Sequence, residues 1–241
     1  MDFYPINLVY FIIAIPIAVL FYIILLKIKT QNKSLMKLFI LSVFLFIVRL
    51  NLIFFADTIG IMPYLKEDVI FYTLLMIFGV IMTFLYVSKV EKVSFKEIGW
   101  DVQDVKKSII FGLIGYVPLV CFFPLIILLA NIQISTAISI GKFIVALSFA
   151  ILGGFYEEIM FRGVVQNKYR DLFADKKKII FFTAVTFTLT HLFYLPFIGF
   201  GIFYIFVFVM AVILSILRMK SDQLACAILH GGIVFILIIA V

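Results

Sequence analysis

The sequence predicts an all-α, polytopic transmembrane bundle of about eight spanning helices, and three observations carry that prediction. Of 241 residues, 66% are hydrophobic and 14% are charged, too little polar surface for a water-soluble domain of this size. The apolar residues fall in continuous runs long enough to cross a bilayer as helices. The runs do not alternate apolar with polar, so a membrane barrel is excluded, and helices are the remaining way to satisfy a backbone in hydrocarbon.

The runs lie at 6–26, 38–56, 69–88, 108–130, 142–165, 178–196, 198–217 and 223–241. The first follows Met1-Asp2-Phe3-Tyr4, which has no basic n-region and no small-residue cleavage site after it. It reads as a retained helix rather than a signal peptide. Residues 1–94 are expected to form N-terminal membrane helices and residues 95–241 the core of the same continuous membrane domain. The longest polar stretch runs from Lys89 to Lys107. Its segment Val93–Trp100 is expected to lie at the membrane surface as a short amphipathic piece anchored by Trp100.

Charge orients the spans. The first, third, fifth and seventh loops carry 4, 5, 5 and 2 Lys/Arg, with Lys178 at the edge of the sixth run counted to the fifth loop, or 16 of the 20 in the chain. Alternate loops are therefore basic, which places both termini outside and would fail for seven or nine spans. The net charge of +7 reads as basic loops held against anionic membrane lipid, not as a nucleic-acid footprint. Low charge, many Phe and more Lys than Arg point to a bacterial cell membrane. Cys121 and Cys226 both lie inside apolar runs, so no disulfide is expected.

Against this background a few ionisable residues stand out. A charge at a helix centre costs about 2.5–3.5 kcal/mol on insertion scales. Yet the fifth run contains Glu157, Glu158 and Arg162, the sixth His191 and the eighth His230, the two histidines of the chain. Glu158 and Arg162 are four apart and share a helix face, so they are expected to pair. Glu157 lies about 100° round the helix and is the better candidate for the chemical carboxylate. From the basic loops, Glu157 is about 16 Å deep, His191 about 20 Å and His230 about 12 Å. Three spans thus bring lone ionisable groups to a similar level. Gly153-Gly154 and Gly231-Gly232 flank them, which either brings helix backbones together or loosens them around a cavity.

A carboxylate and an imidazole can together deprotonate water for attack on a carbonyl, and a second imidazole can stabilise the oxyanion. Glu157, His191 and His230 equally make a two-histidine, one-carboxylate set for a divalent metal such as zinc. The residues leave both open. A His-Glu-x-x-His helix, paired mid-span aspartates and Gly-x-Ser-x-Gly are all absent from the sequence. A proton relay of a transporter would use the same groups, but no inverted repeat or matched pair of broken helices is visible. Cys226 shares a face with His230 and reads as a buried structural thiol.

Glu157-Glu158-Ile159-Met160-Phe161-Arg162 resembles the Glu-Glu-x-x-x-Arg motif of the CAAX protease and bacteriocin-processing (Abi) family. Phe187-Thr188-Leu189-Thr190-His191 is similar to its Phe-x-x-x-His motif, and His230 to the histidine of its His-x-x-x-Asn motif. Phe95-Lys96-Glu97-Ile98-Gly99 fits as well, so the resemblance runs from about residue 95 to the end. It implies an intramembrane endopeptidase acting on hydrophobic or lipidated peptides. In that reading Glu157 and His191 activate water, His230 contributes to the oxyanion hole, and Glu158, Arg162 and Phe187 support them. Members of the family were first classed with the metalloproteases, but the glutamate mechanism is favoured here and no cofactor is expected. One position departs from the pattern: Val234 stands where the family has a polar residue four after the last histidine. Valine donates no hydrogen bond, which motivates the alternative of a weakly catalytic or non-catalytic bacteriocin self-immunity or binding protein of the same fold.

Overall fold

The structure is a computed structural model that describes residues 69–129, 138–191 and 201–240. The chain divides into two compact units, and the one comprising Asp68–Thr188 and Phe200–Val241 carries the helices that follow, save the last two residues of α4. They are α1 (Val69–Leu85), α2 (Val105–Leu129), α3 (Ile140–Leu172), α4 (Lys176–Thr190), α5 (Ile202–Lys220) and α6 (Gln223–Ala240). A π-helical turn, Tyr86–Glu91, prolongs α1. No strand occurs among the described residues.

Four of the helices start where the sequence supplies a side-chain acceptor for otherwise unpaired backbone N–H groups. Asp104 accepts from the Lys107 amide at 3.0 Å and opens α2. Ser139 accepts from Lys142 at 3.1 Å and opens α3. Asp175 and Asp222 do the same for α4 and α6, at 2.9 and 3.0 Å. Asp222 also accepts from the Ser108 hydroxyl at 2.6 Å, tying the starts of α2 and α6 together.

Four of these helices, α2, α3, α5 and α6, are long and apolar enough to cross a membrane. Large apolar side chains remain on the outer face of α2: Leu113, Ile114 and Val117 are 55%, 60% and 63% exposed. Such a face fits hydrocarbon, not water. Pro118 and Pro124 lie inside α2, which a membrane helix tolerates. The expected spans at 6–26 and 38–56 lie outside the described residues. The sixth, expected at 178–196, is described as a helix as far as Thr190.

The helix α6 is the centre of the unit and packs against α2, α3 and α5. The glycine pairs sit at its crossing with α3, and they bring backbones together. A Cβ on Gly154 would be 3.0 Å from the Gly231 Cα, and one on Gly231 would land on the Ala150 carbonyl oxygen. Any side chain there forces the helices apart. Gly232 plays the same part towards α2, because its Cβ would meet the Tyr116 hydroxyl.

The polar stretch before α2 is built from turns over Phe95–Gly99, opened by a reciprocal pair in which Glu97 accepts from the Ser94 amide at 2.5 Å and donates its own amide to the Ser94 hydroxyl at 3.3 Å. Ile98 is buried. Trp100 packs edge-on against Phe155 of α3, with ring centroids 4.6 Å apart.

Candidate functional site

The ionisable residues of α3 sit where that helix changes its winding. Two π-helical turns, Phe149–Gly153 and Ile159–Val165, flank an α-helical stretch, Gly154–Glu158. Such wide turns are rare and gather at functional positions. Glu157 and Glu158 end the α-helical stretch between them.

Glu158 and Arg162 pair as the i,i+4 spacing predicts. Arg162 Nη1 donates to Glu158 Oε1 at 2.8 Å, and both side chains are wholly buried. Arg162 has two further contacts. Its Nη2 donates to the Ala211 carbonyl of α5 at 3.4 Å, and its guanidinium lies over the Phe187 ring, 4.5 Å from the centroid. A desolvated cation over an aromatic face is worth about 2 kcal/mol. Phe187 in turn meets Phe161 edge-on at 4.8 Å and His230 edge-on at 5.7 Å. The aromatic residue of the second motif therefore fills the space between Arg162 and His230.

His230 comes to the same carboxylate from α6. Its Nδ1 is 2.7 Å from Glu158 Oε1. Glu158 Oε1 already accepts from the guanidinium, so the proton of this hydrogen bond is assigned to Nδ1. The opposite nitrogen, Nε2, faces Glu157, with Oε2 at 3.9 Å. Glu157 Oε1 accepts from the Tyr156 hydroxyl at 3.2 Å. One imidazole thus stands between two glutamates. The inner one is fully buried and tied to arginine, while the outer one keeps 12% of its side chain exposed.

The unit therefore brings together Glu157, Glu158, Arg162, Phe187 and His230. His191 is the first residue beyond α4; it belongs with the other compact unit and is itself buried. Val234 is one turn beyond His230 on α6 and is half-buried. Among the described residues no group of three or more His, Cys, Asp or Glu side chains is arranged to hold a metal ion.

Some contributors went unmarked in the sequence. Gln166 continues the buried face of Glu158 and Arg162 by another four residues, and its Nε2 donates to the Ser215 carbonyl at 3.1 Å. Its signal was present: polar residues at i, i+4 and i+8 in an apolar helix define a stripe. Gln223, seven residues before His230, is also fully buried. Tyr156 carried no signal, since a tyrosine in an apolar run is ordinary.

Residues 139–236 match the family described as type II CAAX prenyl endopeptidase Rce1-like. The matched stretch contains all three ordered motifs. No curated protein and no solved structure matches the chain.

Proposed function

We propose, for a chain whose residues 139–236 match the Rce1-like CAAX endopeptidases, that it is an intramembrane endopeptidase cleaving hydrophobic or lipidated peptides with Glu157 as general base. The observation that carries the proposal is the imidazole of His230, held by Glu158 on one side at 2.7 Å and facing Glu157 on the other at 3.9 Å. A buried carboxylate that orients a histidine, with the histidine's other nitrogen turned to a second carboxylate, is an arrangement for moving a proton and stabilising charge.

In the proposed reaction Glu157 removes a proton from water while the water oxygen bonds to the scissile carbonyl carbon. His230 acts as the imidazolium, protonated on both ring nitrogens: Nε2 donates to the oxyanion while Nδ1 donates to Glu158, which with Arg162 holds the ring in place. As the C–N bond breaks, Glu157 returns the proton to the departing amine. No covalent intermediate forms. The partly exposed side chain of Glu157 suits a group that must meet water, and the sealed Glu158–Arg162 pair suits one that must not move.

The test is cleavage of short hydrophobic peptides, with and without a prenylated cysteine, by the purified protein in detergent, read by mass spectrometry. Glu157→Gln and His230→Ala should each lose cleavage while retaining the wild-type helix content, and a strong chelator should leave the wild type active. Full activity in Glu157→Gln would remove the proposal. Val234→Asn supplies a side-chain donor one turn from His230 and should raise kcat by about 100-fold; an unchanged rate would mean that Val234 does not face the oxyanion.

A further inference from the structure

The motif Phe95-Lys96-Glu97-Ile98-Gly99 takes no part in the chemistry above, yet it is fastened to three helices of the unit that builds the site. The fastening point is the backbone carbonyl of Ile98. It accepts from Gln223 Nε2 of α6 at 2.5 Å and from Arg218 Nη2 of α5 at 3.4 Å, which uses both of its lone pairs. The third helix, α3, meets it through Gly163. A Cβ at Gly163 would be 2.6 Å from Gln223 Nε2 and 3.3 Å from the Ile98 oxygen.

Two glycines make this junction possible, for different reasons. Gly163 follows Arg162, the partner of Glu158, and its missing side chain is the space in which the Gln223 amide lies. Gly99 has φ of +87°, a conformation that side chains disfavour, and a Cβ there would occupy the place of the Arg218 guanidinium. Neighbouring contacts join the same loop to α3. Asn167 Nδ2 reaches the Glu97 carbonyl at 3.5 Å, and Trp100 packs on Phe155, two residues before Glu157.

We infer that the Ile98 carbonyl, Gln223 and Gly163 form a clasp that fixes the register of α6 against α3, and so positions His230 on Glu158. The reason is geometric. The clasp holds α3 one residue beyond Arg162 and α6 seven residues before His230, close to two turns. A hydrogen bond such as His230–Glu158 weakens steeply with misalignment, so slippage at the foot of α6 is transmitted to the ring through a stiff helix. Gln223 and Gly163 are positioning residues in this inference, because neither touches a reacting group. Their consequence for turnover rests on the proposed peptidase reading; their effect on His230 does not.

The test therefore reads the ring directly. Protein labelled with 15N-histidine, purified without a histidine tag and carrying His191→Gln, has His230 as its single labelled ring. In detergent this ring should give one set of signals with Nδ1 protonated and hydrogen-bonded. Gly163→Ala, which puts a methyl into the amide's place, and Gln223→Met, which keeps volume without a donor, should each shift or split those signals with helix content unchanged. With His191 restored, both single variants should lose about 100-fold in kcat with KM little changed. Wild-type His230 signals in Gln223→Met would overturn the clasp. If Gly163→Ala does not fold, Gln223→Met decides alone. A wild type that folds but cleaves nothing would sink the peptidase reading and leave the ring measurement valid.

Discussion

Removing Arg162 should destabilise the protein more than removing Arg162 and Glu158 together. Arg162→Leu leaves Glu158 wholly buried, with no cation at 2.8 Å to offset its charge. Breaking a buried pair from one side costs about 3–5 kcal/mol, a large part of a total stability of about 5–15 kcal/mol. Glu158→Leu/Arg162→Leu removes the charge as well. Replacing a buried pair by apolar groups is close to neutral, and the remaining cost is the His230 Nδ1–H left without its acceptor, about 1–3 kcal/mol. The double variant should therefore be more stable than the single one by about 2 kcal/mol. The assay is thermal unfolding in one detergent, followed by circular dichroism and checked for reversibility. The order of the two variants is the decisive reading: a double variant less stable than Arg162→Leu would refute the idea that a stranded carboxylate is the main penalty. It would point instead to the guanidinium's packing on Phe187 and its bond to Ala211.

Two further outcomes follow from the packing and the loop. Gly231→Ala places a methyl on the Ala150 carbonyl oxygen and should cost about 1–3 kcal/mol through overpacking, measurable as a lower thermal midpoint; an unchanged midpoint would mean that α3 and α6 do not cross there. The backbone amide of Ser94 holds the Glu97 carboxyl below the usual carboxylate range. A folded value lower than the unfolded one means that this carboxylate stabilises the loop at neutral pH, and that the contribution is lost as pH falls through the folded value. Hydrogen exchange of the Phe95–Trp100 amides should therefore quicken on acidification in the wild type and depend less on pH in Glu97→Gln. Equal pH dependence in both would remove Glu97 as the cause.

Much of the site was legible because helical geometry is local. The four-residue spacing of Glu158 and Arg162 forces them onto one face, and the fold needed only to bury that face for them to pair. The 100° offset of Glu157 likewise predicted a carboxylate outside that pair, and it is the more exposed of the two. The glycine pairs were legible as a choice between close approach and loosening. The contacts that Gly154 and Gly231 make across the crossing decide for close approach, because a crossing partner's position is not a property of one helix. The Val93–Trp100 segment was legible as a short amphipathic piece, but not what its inward side holds: the Ile98 carbonyl meets two side chains that lie more than a hundred residues away in sequence.

The sequence by itself determined that this protein is a helical membrane protein with a few ionisable groups set in its apolar runs. Hydrophobic length and helical period are set by near neighbours in the chain, and the high cost of charge in hydrocarbon makes each exception visible. Only the tertiary structure decided that His230 is held by Glu158 rather than by Glu157, that Phe187 fills the gap between Arg162 and His230, and that Gln223 closes on the Ile98 carbonyl. Those relations depend on where α3, α4 and α6 cross and how each is rotated. Such distances join residues that the sequence leaves far apart, and they are fixed by the packing of glycine faces and buried polar groups together.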